Sequence, residues 1–199
     1  MPKQVDHEER RRRIADAVCA LIDAQGLEGV TLRDVATRAE VSMGAVQRCF
    51  RSKDEMLLFA LGHIGERVTE RAHGRLVGSP AQSAASTVGH VVGEVALLRE
   101  EHRAEARIWL SFLAAAAVDP GLAAGLRDSY ANLEGLLTRL LAEAAECPYP
   151  AREARTLLAL ADGLTGHVLI GHLTAEEAEE LLHAHLTGLW ARAGTAAGS

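Results

Sequence analysis

Gln47 and Arg48 stand side by side in the run TLRDVATRAEVSMGAVQRCFRSKDEMLLF, residues 31–59. Glutamine can form paired hydrogen bonds with adenine and arginine with guanine, each worth about 1–3 kcal/mol of discrimination between bases. Either side chain can instead hold a phosphate, and the residues alone leave both roles open. Just upstream, Met43 and Ala45 carry apolar groups that suit a thymine methyl, although Met43 equally suits the solvent side of a first helical turn. Ser42 and Lys53 fall at the starts of expected helices, where free N–H groups favour anions. Arg33 is placed to reach a phosphate backbone or a groove edge. Arg10–Arg13 form a cationic run, either an arm along a polyanion or a solvated helix face.

Such groups read bases only when short helices present them in order. The first expected helix runs from about Glu8 to Gln25. Its Ile14, Ala17, Val18, Leu21 and Ile22 recur at the spacing of one helical face, and Gly26 stops it. Thr31 caps the second helix, with Asp34 three residues later completing a capping box. The turn is Ala39-Glu40-Val41-Ser42. Ser42 then caps a third helix, Met43 to about Cys49, whose Val46 faces inward with Phe50. Ser52 and Glu55 form a second box that opens a long helix to about Val77. Two short helices joined by a tight turn make a helix-turn-helix, and the second of them enters the major groove of DNA.

Beyond this segment, Ser79-Pro80 and Asp119-Pro120 each place a capping residue before a proline. Thr174 and Glu177 form a third box, and Pro148 and Pro150 mark another break. These signals predict helices near 80–99, 102–117, 120–146, 151–172 and 175–193. Strand alternation, internal repeats and low-complexity tracts are not found. The expected fold is all-α with about nine helices. A three-helix, helix-turn-helix domain covers 1–51, and a second helical domain covers 52–199.

The formal charge of −6 at first argues against a polyanion partner. Residues 1–55, however, hold ten basic and ten acidic side chains, so the acidic excess lies entirely in the remainder. A local basic patch suffices to hold phosphates. Cys19, Cys49 and Cys147 are odd in number and far apart, which fits a reducing cytoplasm. The charged N-terminus is no signal peptide, and no stretch approaches the ~18–20 apolar residues of a membrane span.

The segment from Ile14 to Leu57 resembles the tetracycline-repressor (TetR) family of bacterial transcription regulators. The likeness rests on Ile14 to Leu21, Gly26, Thr31-Leu32-Arg33-Asp34-Val35-Ala36, Ala39, Val41-Ser42, Gly44, Phe50, Ser52-Lys53 and Leu57. It implies a dimeric regulator, by default a repressor, that binds a palindromic operator in double-stranded DNA and is released by a small-molecule effector. The family's phosphate-contacting lysine corresponds to Lys53. Two departures stand out. Glu40 occupies a turn position where the family often has glycine. Gln47 and Arg48 replace the family's usual tyrosine and histidine, so operators of better-known members do not transfer.

The family uses its C-terminal helices for a ligand cavity and a dimer interface. For the interface, Leu182, Leu186 and Leu189 lie on one stripe of the last helix, and Leu157, Leu164 and Val168 on one stripe of the helix before. Two such helices per subunit can pair about a twofold axis as a four-helix bundle, or the stripes can serve the core of one subunit. For the cavity, the candidates are His90, Trp109, Phe112, Tyr130 and His167. Trp109 and Phe112 suit a core equally well. The set points to a partly apolar effector. No cofactor or metal is expected. The Glu-x-x-His pairs Glu70/His73 and Glu180/His183 have the spacing of a di-metal carboxylate enzyme, but without further inward-facing glutamates that alternative is set aside. A redox role for Cys49, and a DNA-binding module without an effector, are the other readings.

Overall fold

The structure, a computed structural model, describes residues 2–77, 83–144 and 147–196. Among these residues it contains nine α-helices: α1 (Pro2–Gln25), α2 (Leu32–Arg38), α3 (Met43–Cys49), α4 (Lys53–Val77), α5 (Ala84–Val95), α6 (Arg103–Ala116), α7 (Pro120–Ala144), α8 (Pro150–Leu169) and α9 (Ala175–Ala196). A 3₁₀ turn (Glu100–His102) precedes α6. The expected caps are present. Thr31 Oγ1 accepts from the Asp34 N–H at 3.2 Å, and Asp119 Oδ1 accepts from Gly121 and Leu122 at 2.8 and 3.0 Å. Thr174 and Glu177 exchange bonds of 2.8 and 3.1 Å as a complete capping box.

Several boundaries differ from expectation: α5 ends at Val95 and not near 99, α8 ends at Leu169 and not near 172, and two helix starts also move. α1 begins at Pro2, where a fixed φ suits the first turn, and not near Glu8. Asp6–Arg10 and Glu8–Arg12 pairs one turn apart support the extension. α5 begins at Ala84, capped by a reciprocal Ser83–Ser86 box that sequence reasoning passed over. The Ser79-Pro80 signal lies outside the described residues.

Packing divides the chain elsewhere than the motif does. One compact unit comprises Met1–Glu66 with Arg107–Asp128, and the other Arg67–Ala106 with Ser129–Ser199. In the first unit, Ile14, Val18, Val35, Val46, Met56, Leu57 and Phe112 are shut off from solvent. Polar ties fasten α1 within it: Asp16 to His63 of α4 at 2.8 Å, and Asp23 to Arg107 of α6 at 2.5 Å. Gly26 ends α1 at a φ of +76°, a conformation that costs a residue with a Cβ about 1–2 kcal/mol. Glu40 carries that strain in the turn between α2 and α3, at a φ of +54°.

In the second unit, α5, α7, α8 and α9 share one apolar core that includes Val88, Val92, Leu137, Leu141, Leu157 and Leu189. Thr165 of α8 sends its buried hydroxyl to the Ala96 carbonyl at the end of α5, 2.7 Å away. Arg155 of α8 pairs with Glu134 of α7 at 2.9 Å.

Candidate nucleic-acid interface and ligand cleft

α3 has two faces. Ala45, Val46 and Cys49 are buried, while Met43, Gln47 and Arg48 are exposed and Gly44 lies between them. Positions 43, 44, 47 and 48 recur one helical turn apart, so one outer strip carries every long side chain of the helix. A Cβ at Gly44 would stand 3.5 Å from Arg48 Nη1, so the guanidinium folds back over the glycine toward the turn. Ser42 Oγ accepts from the Ala45 N–H at 3.2 Å and fixes the start of the helix. Lys53 is the first residue of α4, half-buried, and Arg33 is exposed on α2.

Of the seven residues expected at this surface, six are solvent-facing or half-exposed, and Ala45 is the exception. At 8% exposure its methyl is turned into the core of the head and offers nothing to a thymine. The arginine run is also corrected. Arg11 points inward, its guanidinium carbon 4.9 Å from the centre of the Phe50 ring. Its neighbours Arg10 and Arg12 are engaged by acidic residues of the same helix. Cys49 is 6% exposed, which removes the access that a redox switch requires.

The six residues expected at a dimer interface are all in the wrong place for one. Leu157, Leu164, Val168, Leu182, Leu186 and Leu189 are each 8% exposed or less and belong to the core of the second unit. The stripes of α8 and α9 are intramolecular because these helices must cover α5 and α7 before anything else. The opposite faces remain outside: Thr156, Ala159 and Gly163 on α8, and Leu181, Ala184 and Ala191 on α9.

The five expected ligand residues do not converge. Trp109 and Phe112 belong to the first compact unit, and Phe112 is wholly buried. His90, Tyr130 and His167 belong to the second. There Tyr130 hydrogen-bonds Asp162, and His167 is exposed beside His172, with ring centres 4.9 Å apart. Only His90 lines the cleft of about 400 Å³ that opens between α5 and α9. Its α5 side is formed by Ser86, Gly89, Gly93 and Glu94 together with His90, and its α9 side by Glu179, Leu182, His183 and Leu186. Leu98 and Arg99 close one end. Sequence reasoning missed Glu94, Arg99 and Glu179. The available signal was Gly89 and Gly93, one turn apart on an otherwise valine-rich helix.

Charge is concentrated behind this cleft. Arg71 of α4 binds Glu105 through both terminal nitrogens, at 3.1 and 2.6 Å, and sends Nε to Glu94 at 3.1 Å. Arg67 adds a bond of 2.9 Å to Glu105. Burial works against the charge of Arg71, but hydrogen bonds to Glu105 and Glu94 outweigh it and hold its pKa above the ordinary value. Among the described residues, no group of three or more His, Cys, Asp or Glu is placed to hold a metal ion, and no helix is long and apolar enough to cross a membrane.

The sequence matches the family described as bacterial regulatory proteins, tetR family, over residues 14–59, and the BetI-type transcriptional repressor C-terminal family over residues 84–191. The chain belongs to the TetR family. Among its relatives, the HTH-type transcriptional regulator PksA of Bacillus subtilis is 34% identical over 178 residues, covering 85% of this chain and 83% of PksA. A transcriptional regulator from Rhodococcus sp. RHA1 superimposes with a TM-score of 0.78 at 29% identity, covering 90% of this chain and 95% of that one. A regulator from Saccharomonospora viridis, solved in complex with choline, shares the fold with a TM-score of 0.75 at 23% identity, over 90% of this chain and 96% of its own. This TetR-family chain is accordingly a ligand-responsive transcriptional repressor of the BetI type and not an enzyme. Members of this family bind operator DNA and small-molecule effectors.

Proposed function

We propose that two copies of this TetR-family chain bind a palindromic operator, each laying α3 in the major groove. The observation that carries this reading is the outer strip of α3, where Met43, Gln47 and Arg48 stand exposed while the opposite face is buried. Gln47 and Arg48 read base edges, Met43 meets an apolar base edge, and Lys53, Ser42 and Arg33 hold phosphates on either side. The copies pair through the outer faces of α8 and α9, whose small residues allow close approach of two helix pairs. Half-sites then lie about 34–36 Å apart, one turn of the duplex. A small molecule bound in the α5/α9 cleft prefers a different arrangement of the heads and shifts the population away from DNA. The free cysteines and the DNA partner support a cytoplasmic setting.

The test is direct. Sedimentation should give a dimer at micromolar concentration, and fluorescence anisotropy should give tight binding to duplexes from upstream of its own gene. A monomer that ignores those duplexes in dilute salt would sink the proposal.

A further inference from the structure

Glu94 is 1% exposed, and the residue borders two places at once. It forms part of the wall of the α5/α9 cleft, and its Oε2 accepts from Arg71 of α4 at 3.1 Å. His102, itself 4% exposed, brings Nε2 to 3.9 Å from the same oxygen. Of the buried charge cluster formed by Arg67, Arg71, Glu94, His102 and Glu105, Glu94 is the member that lines the cleft.

A buried carboxylate stripped of its partner is costly, whereas one that exchanges partners is not. Exchange is open here because Arg71 does not depend on Glu94. Its two terminal nitrogens remain on Glu105 whichever cation holds Glu94. The incoming group must be charged, to balance a carboxylate with little solvent, and must carry N–H donors, to replace the bond from Nε. A quaternary ammonium has no such donor. It is ordinarily held by aromatic faces, and the described lining includes no Trp, Tyr or Phe. An anion meets two carboxylates, Glu94 and Glu179, against the single guanidinium of Arg99. Leu98, Leu182 and Leu186 offer an apolar wall, and at Gly93 an added Cβ would meet nothing within 4 Å.

We propose that the cleft binds a small primary amine in its protonated form, with a short apolar body against the leucines, and that Glu94 anchors its ammonium group in competition with Arg71. Occupancy then loosens α5 from α4, the helix that begins at Lys53 beside the reading helix. This rests on the effector reading above and gives it a chemical class and a transmitting residue.

A tethered probe tests it without knowing the natural ligand. Gly93→Cys is made in a Cys147→Ser background, since Cys19 and Cys49 are buried. The thiolate attacks a methanethiosulfonate reagent, displaces methanesulfinate and leaves a mixed disulfide. Three adducts are compared: aminoethyl, trimethylammonioethyl and neutral propyl. The readouts are hydrogen exchange of α4 around Arg71 and affinity for promoter DNA. The aminoethyl adduct should speed exchange there and weaken operator binding about tenfold or more, with the other two within about twofold of the unlabelled protein. Glu94→Gln should erase the aminoethyl effect. An equal response to the trimethylammonioethyl adduct overturns the requirement for N–H donors. Unchanged α4 exchange with every adduct overturns the anchoring role of Glu94. Faster exchange with unaltered operator affinity supports the anchor and sinks the effector reading on which it rests.

Discussion

The guanidinium carbon of Arg11 in α1 lies over the Phe59 ring of α4, 4.2 Å from its centre. Phe50, at the end of α3, has its ring centre 4.9 Å from the same carbon, and the two phenyl rings meet beside it at 5.4 Å and 56°. One arginine therefore joins the first helix, the reading helix and the long helix of the head. Removing it should be felt as lost stability before it is felt as lost charge. Arg11→Ala is expected to cost about 1–2 kcal/mol, or roughly 2–8 °C in Tm. Arg11→Lys should restore little, because an ammonium lacks the planar face. Thermal unfolding of the three proteins decides the matter, and an unshifted Tm for Arg11→Ala would show that these ring contacts do not stabilise the head.

Arg48 and Lys53 should fail in different ways. Arg48→Ala is expected to weaken binding to the true operator by about 1–3 kcal/mol per half-site and to relax preference at one base position in each half-site. Lys53→Ala should weaken all duplexes alike and reduce the slope of log affinity against log salt by about two, roughly one for each subunit. Titrations against specific and scrambled duplexes at several salt concentrations separate the two. If Arg48→Ala keeps both affinity and preference, the base-reading role passes to Gln47.

The two faces of the α8/α9 pair can be attacked separately. Leu182→Ala, on the inner face, should destabilise the protomer by about 2–5 kcal/mol. Gly163→Arg, on the outer face where an added Cβ meets nothing within 4 Å, should leave the helical circular dichroism of the protomer intact. It should shift the sedimentation profile to monomer and abolish tight operator binding. A Gly163→Arg protein that still sediments as a dimer would move the interface off this face.

Glu177 gives a pH test. Hydrogen bonding from the Thr174 backbone N–H, then from its hydroxyl, holds the carboxyl of Glu177 below its ordinary pKa. A depressed folded-state pKa means the carboxylate stabilises the fold above the unfolded-state value, about 4.3. That contribution is lost as pH falls through the lower folded-state value. Glu177→Gln should therefore melt below the parent at pH 7, with the difference shrinking as the solution is acidified past pH ~4. A gap in Tm that stays constant from neutral to acid pH would show that the carboxylate charge is irrelevant.

Local signals served the reading well and long-range ones did not. Thr31, Ser42, Ser52 and Thr174 announce helix starts because a cap needs only a residue and its neighbours three positions on. The outer strip of α3 followed from the same short-range logic, except at Ala45, where a small side chain fits either face. The leucines of α8 and α9 show the limit. A stripe such as Leu182, Leu186 and Leu189 records that a helix buries one side, not whether the cover is its own subunit or another. The Arg71–Glu94–Glu105 cluster left no trace at all, since its members are 23 and 34 positions apart. Ser83 and Ser86 escaped notice because a serine in place of glutamate at the third position disguises the box.

Glu40, held at a φ of +54° in the turn that sets the pitch of α3, leaves this repressor with an unusually cheap adjustment. Glycine there would relieve about 1–2 kcal/mol and withdraw an acidic group from the turn that precedes α3. On the proposed interface, Glu40→Gly is expected to raise operator affinity while leaving sequence preference as it is, a change that titration against specific and scrambled duplexes would register.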